Sequence, residues 1–168
     1  MAATAHKVML LGEIGVGKSS LAQRLMFNRF SGQYKPTIGV EVYRYNVSPD
    51  VTGEPMALIL WDTDGNFGDA IFQHVYLKEA AAAIIVADPL RPATLDTAVR
   101  LAEGFASARP GRAIHFIVNK WDLITPANEP VLPPAYKSRP LNKASALSGT
   151  DVVEAFSHVA KAIRRRGL

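Results

Sequence analysis

Four apolar runs, Val8-Met9-Leu10-Leu11, Ala57-Leu58-Ile59-Leu60-Trp61, Ala83-Ile84-Ile85-Val86 and Ile114-His115-Phe116-Ile117-Val118, stand well apart along the chain and are almost free of polar interruption. Short runs without alternation read as strands covered on both faces. Between them the period changes. Residues 19–27 and 73–79 carry helical spacing, and 94–108 bring Leu95, Val99, Ala102 and Phe105 near one face. Strand alternating with helix predicts an α/β chain built on a mostly parallel sheet with helices on both faces. The segment 40–47 alternates instead, and Pro49-Asp50-Val51-Thr52-Gly53-Glu54-Pro55 reads as a turn leading straight into the next strand. A hairpin, hence one antiparallel edge strand, is expected there. Val152, Phe156, Val159 and Ile163 form the packing face of a last helix, with Thr150 or Asp151 placed to cap it. Pro126, Pro130, Pro133, Pro134 and Pro140 exclude an uninterrupted helix across 125–140.

Length and composition narrow this picture. A chain of 168 residues, 48% hydrophobic and 20% charged, is expected to fold as one globular domain, 1–168, without repeats or linkers. Cysteine is absent, which excludes disulfides, thiolate metal sites, prenylation and palmitoylation within this sequence. The start, Met-Ala-Ala-Thr, lacks the second-position glycine of a myristoylation signal and the apolar core of a secretory one. The expectation is a cytoplasmic protein with no lipid anchor in this chain and at most weak or partner-mediated membrane contact. Net charge is +4, too modest to point to a nucleic-acid partner, and its one dense cluster is Arg164-Arg165-Arg166. Those arginines complement the dipole of a terminal helix or attract anionic lipid, at about 1 kcal/mol per basic residue.

Two strings carry the chemistry. Gly12-Glu13-Ile14-Gly15-Val16-Gly17-Lys18-Ser19 fits G-x-x-x-x-G-K-[ST] between a predicted strand and a predicted helix. There, backbone N–H groups and a helix N-terminus face one anion. Lys18 supplies a charge to the β- and γ-phosphates and the Ser19 hydroxyl suits Mg²⁺. This string alone does not separate ATP from GTP. Asn119-Lys120-Trp121-Asp122 does, because it follows the strand ending at Val118, and ligands of open α/β sheets lie beyond strand carboxyl ends. Asp122 can accept from both the ring N–H and the exocyclic amine of guanine; against adenine its carboxylate would lack those donors, a loss of roughly 1–3 kcal/mol or more. Asn119 and Lys120 brace the loop and pack on the base.

With these strings in place, the chain resembles the Ras/Rab-type small GTPases over most of its length. The resemblance implies a three-layer P-loop fold with a six-stranded sheet, Mg²⁺ as cofactor and GTP or GDP as ligand. It implies nucleotide contacts from Glu13 through Ser20 (Glu13, Ile14, Gly15, Val16, Gly17, Lys18, Ser19, Ser20). Tyr34-Lys35-Pro36-Thr37-Ile38-Gly39-Val40 is similar to the Rab version of switch I; there Thr37 would complete the Mg²⁺ shell, and Phe30 would lie against the guanine edge. Trp61-Asp62-Thr63-Asp64-Gly65-Asn66 looks like W-D-T-A-G-Q, which implies Mg²⁺ held through water by Asp62 and a γ-phosphate contact from the Gly65 amide. Ser145-Ala146-Leu147 is similar to S-A-K, whose backbone recognises the guanine oxygen.

Departures from the family pattern gather at the γ-phosphate. Asn66 stands where the family has the Gln that orients the attacking water, one methylene shorter in a geometry sensitive to about 1 Å. Asp64 brings a carboxylate toward an anionic group unless it finds a cation. Ile14 replaces a small residue and could obstruct an arginine arriving from a partner. The expected catalytic set is therefore Lys18, Asn66 and Asp64, with slow hydrolysis or hydrolysis completed by a partner. Leu147 in place of Lys removes packing beside the base. The 125–140 segment replaces a family helix, as a shortened crossover or a remodelled surface. A molecular switch read by protein effectors and regulators through 31–40 and 63–76 is the leading expectation; the alternative is a nucleotide-loaded interaction module with negligible hydrolysis. An ATP-dependent kinase is disfavoured by Asp122.

Overall fold

The computed structural model describes residues 2–33, 39–65 and 75–168. Thr37, Asn66 and much of the segments 31–40 and 63–76 lie outside the described residues, as does the start of the helix expected at 73–79. The elements run β1 (Thr4–Gly12), α1 (Lys18–Phe27), β2 (Val40–Val47), α2 (Pro49–Thr52), β3 (Met56–Thr63), β4 (Ala82–Ala87), α3 (Pro92–Ala108), β5 (Ala113–Val118), β6 (Leu141–Lys143) and α4 (Val152–Arg165). One six-stranded sheet has the order β2-β3-β1-β4-β5-β6. Only β2 is antiparallel to its neighbour, β3; the remaining pairs are parallel. β1 is central: the chain leaves it toward β3 on one side and later crosses to β4 on the other. This is the topology that opens a crevice beyond the strand carboxyl ends.

The continuous apolar runs are explained by burial on both faces. Along β1, Val8 and Leu10 join the layer of α1 and α4 with Leu21, Phe156, Val159 and Ile163, while Met9 and Leu11 join Leu95, Phe105 and Phe116 beneath α3. Successive side chains point to opposite faces, so both must be apolar. The residues predicted as the face of the last helix are all buried.

Two local expectations need correction. The hairpin connection is a one-turn helix, α2, with Pro49 in its first turn and Gly53 at φ 78 closing it, where a plain turn was expected. Asp151 occupies the position before α4 but in a left-handed conformation, φ 58, and makes no side-chain cap bond; its Oδ2 instead accepts from Asn142 Nδ2 at 3.4 Å. In the terminal arginine cluster, Arg164 pairs with Glu54 at 2.6 Å and Arg166 Nε donates to the Gly111 carbonyl at 3.0 Å. The proline-rich segment holds a short 3-10 turn, Pro134–Lys137, whose Tyr136 is buried against Phe116 and donates to the Leu95 carbonyl at 2.9 Å. Among the described residues, no helix is long and apolar enough to cross a membrane.

Candidate functional site

Between β1 and α1 the chain makes a loop that only glycine can complete at its corners. Gly15 sits at φ 80 and Gly17 at φ 101, and a Cβ on Gly17 would fall on the Asn119 side-chain amide. A Cβ on Gly12 would come within 2.5 Å of the Val86 carbonyl of the adjacent strand. Every carbonyl from Gly12 to Val16 takes a side-chain donor. Lys18 Nζ donates to Gly12 at 2.8 Å and to Glu13 at 3.0 Å. Arg91 Nη2 donates to Ile14 at 2.6 Å, Lys120 Nζ to Gly15 at 2.8 Å, and Asn119 Nδ2 to Val16 at 3.0 Å. In a trans peptide the N–H points opposite to the C=O, so a loop held by its carbonyls offers its amides on the other side, beside the start of α1. That is an anion cradle.

Two buried charged groups sit at its base, Lys18 in the cleft wall and Asp62 behind it. Lys18 is only 6% exposed, and burial lowers its amine to about 8. Asp62, Asp64 and Glu13 act against that shift, so Asp64 does have a cation within electrostatic reach. Asp62 ends β3 fully buried, and burial pushes its carboxyl up to about 6 despite the Ser19 hydrogen bond and the Lys18 charge. Ser19 Oγ donates to Asp62 Oδ2 at 2.5 Å, while Oδ1 is buried with no hydrogen-bond partner among the described residues. Thr63 is tied to β1 by donating to the Leu10 carbonyl at 2.7 Å. Gly65 backs onto the loop so closely that a Cβ there would overlap the Ile14 backbone, and the Ile14 side chain is half-exposed.

Beyond β5, Asn119 links three segments. Its Nδ2 reaches the phosphate-type loop and its Oδ1 accepts the Ala146 N–H at 3.1 Å. Lys120 adopts φ 57, an uncommon left-handed setting for a non-glycine residue, and is held by Gly15 and by Asp88 Oδ2, both at 2.8 Å. Asp122 is exposed and its Oδ1 accepts from Ser145 Oγ at 2.7 Å. A cleft of about 830 Å³ joins both ends. Ile14, Gly15, Gly17, Lys18, Ser19, Ser20, Phe30, Asp64, Gly65, Asn119, Lys120, Asp122, Ala146 and Leu147 all line it. Glu13, Val16, Asp62 and Ser145 stand behind that lining as supports, and Thr37 and Asn66 lie outside the described residues.

Three residues that sequence reading passed over hold this wall. Asp88, buried just past β4, bridges Lys120 at 2.8 Å and Arg91 at 3.5 Å. Arg91 carries the Ile14 carbonyl. Arg24 on α1 donates to the carbonyls of Ala146 at 2.8 Å and Leu147 at 2.5 Å, fixing the 145–147 turn. The signal for Asp88 was present: an acid immediately beyond the carboxyl end of an apolar strand, at the crevice rim. Arg91 and Arg24 had none, since their partners are backbone oxygens far away in sequence.

Comparison with known proteins agrees with this architecture. A family model described as Roc, Ras of Complex, Roc, domain of DAPkinase, matches residues 7–122. The chain is 35% identical over 164 residues to Ras-related protein Rab11E of Lotus japonicus, covering 95% of this chain and 74% of that protein. It is 32% identical over 164 residues to Ras-related protein RABA1b of Arabidopsis thaliana, covering 95% and 75%. To Ras-related protein Rab-34 of Rattus norvegicus it is 35% identical over 164 residues, covering 92% of this chain and 62% of that protein. With a phosphate-type loop, a base-side loop and a shared cleft at the carboxyl ends of the sheet, the chain belongs to the Ras/Rab-like small GTPases.

Proposed function

We propose that this protein is a GTP/GDP-binding switch that hydrolyses GTP to GDP and phosphate slowly, or with help from partner residues. The observation that carries the reading is one cleft with a five-carbonyl-anchored loop at one end and the Asp122 carboxylate beside Ser145 at the other. Amides of the loop and the N-terminus of α1 bind the phosphate chain. Lys18 leaves the carbonyls of Gly12 and Glu13 and neutralises the β- and γ-phosphates. Asp122 takes the two guanine donors, while Asn119 and Arg24 keep the surrounding turns in register. Phe30 flanks the base, and Leu147 offers less cover there than the family's Lys.

The residues fit Mg²⁺. Among the described residues Asp62 Oδ1 is buried without a partner, and Ser19 Oγ lies against the same carboxylate, the hydroxyl and acid that P-loop proteins use for this ion. Ser19 and Asp62 would hold it together with Thr37, and the ion would neutralise charge on the phosphates. Among the described residues no cluster of three or more His, Asp or Glu could hold a metal unaided, so the nucleotide's oxygens would complete the shell.

Hydrolysis rests on water placed near the γ-phosphate by Asn66, with Asp64 close to Lys18. The second reading, a nucleotide-loaded interaction module, is favoured by this same Asp64, whose negative charge acts on the Lys18 amine that the γ-phosphate needs. Effectors and regulators would read 31–40 and 63–76, and the chain would act in the cytoplasm. Single-turnover hydrolysis at saturating Mg²⁺ tests the reading, with slow conversion of bound GTP expected. A fast intrinsic rate that collapses in Asn66→Ala would contradict slow turnover; no conversion at all would leave the interaction module.

A further inference from the structure

We propose that Arg91 is a positioning residue for the nucleotide's phosphates, acting from behind the loop through the Ile14–Gly15 peptide. The inference rests on the reading that the cleft binds a guanine nucleotide. Arg91 Nη2 donates to the Ile14 carbonyl at 2.6 Å, and the N–H at the other end of that amide belongs to Gly15, which lines the cleft. A cation on a peptide oxygen draws electron density from the amide and makes its N–H a stronger donor to an anion, as in any hydrogen-bond chain. Lys120 does the same to the following peptide through the Gly15 carbonyl. Two consecutive amides therefore each carry a cation on the outer side; Gly15 lines the cleft, while the Val16 N–H donates to the Glu13 carbonyl at 3.4 Å.

The arrangement is built. Asp88 is 3% exposed and bridges both cations. Its own geometry is fixed by Oδ1 accepting from the Leu90 N–H at 2.9 Å and by its N–H donating to Thr94 Oγ1 at 2.9 Å. Pro92 opens α3 and restricts the preceding residue to extended backbone, and Arg91 lies at φ −125, ψ 88. The Arg91 N–H bonds the Asp88 carbonyl at 3.1 Å, so a tight turn aims the side chain back across the loop. There its guanidinium lies 3.7–3.9 Å from where a Cβ on Gly15 would stand. As a stabilising ion pair, Arg91 with Asp88 contributes little, because the contact is 3.5 Å long and the arginine side chain is 46% exposed. The short bond to Ile14 is the specific one.

The test is calorimetric titration of the full chain, nucleotide-free, with GMP, GDP and the non-hydrolysable β,γ-imido analogue of GTP in Mg²⁺. In Arg91→Ala the loss should grow with phosphate number: GMP is bound as by wild type, GDP a few-fold weaker, the triphosphate analogue about tenfold weaker, the scale of one charge-assisted hydrogen bond. Arg91→Lys should recover part of that loss, since an ammonium can reach the same carbonyl. An equal loss for all three ligands, or none for the analogue, would overturn the inference and reduce Arg91 to a surface brace. Wild-type protein that takes up neither GDP nor the analogue would remove the underlying ligand reading, and the inference with it.

Discussion

Beneath α4, His115 and Asn142 are buried in β5 and β6 and their polar atoms close on one another. His115 Nε2 meets Asn142 Oδ1 at 2.7 Å, Asn142 Nδ2 donates to Asp151, and His158 stacks obliquely with ring centroids 5.9 Å apart. At the carboxyl rim of the same sheet, Lys18, Asp62, Asp88, Asn119 and Ser145 are just as buried. The rim differs in its surplus. Among the described residues Asp62 keeps a buried oxygen without a partner, Lys18 donates to backbone oxygens it can exchange, and five loop carbonyls are engaged on a loop whose Ile14, Gly15 and Gly17 line a cleft. A buried polar group costs roughly 1–3 kcal/mol when unpaired. Unused capacity at the rim is thus a cost that a ligand removes, whereas the His115–Asn142 pair is packing.

Each side of that contrast can be broken separately, starting from the largest effect. Lys18→Ala should weaken GTP and GDP binding by about a hundredfold or more, since a buried cation facing phosphate contributes several charge-assisted bonds; titration at pH 7 measures it, and unchanged affinity would mean the rim's surplus has no phosphate to meet. Gly17→Ala joins strain at φ 101 to a collision with the Asn119 amide, so it should cost about 2–3 kcal/mol of stability in a urea melt and loosen both loops together. Asp122→Ala should spare phosphate affinity but narrow the preference for GDP over ADP about a hundredfold, read by competition. The smallest effect concerns the closed pair. Burial holds the His115 imidazole below its ordinary value of 6.5, so the unfolded chain takes up this proton first as pH falls. Stability from this group is complete above the ordinary value and declines as pH drops below it toward the folded-state value. His115→Gln should flatten that part of the stability profile while leaving nucleotide affinity at pH 7 unchanged.

Much of this molecule could be read from residue order. The strands were legible because burial on both faces leaves unbroken apolar runs, and β2 because one open face restores alternation. β6 was not, since Leu141-Asn142-Lys143 is too short to carry a period. Asp151 failed as a cap because the αL backbone at φ 58 turns its carboxylate toward Asn142. In the site, the two strings declared themselves because phosphate and guanine each require fixed residue types at fixed spacing. Arg91 and Arg24 did not, because each acts on backbone oxygens brought near only by the fold; Asp88, at the end of an apolar strand, carried a positional signal but its two cations are joined to it only by the fold.

The most direct measurement is competition between guanine and adenine diphosphates for the nucleotide-free protein in Mg²⁺. The account predicts GDP binding about a hundredfold or more tighter than ADP, because only guanine meets the Asp122 carboxylate with two donors. Equal affinity for the two would contradict it, however tightly either were bound.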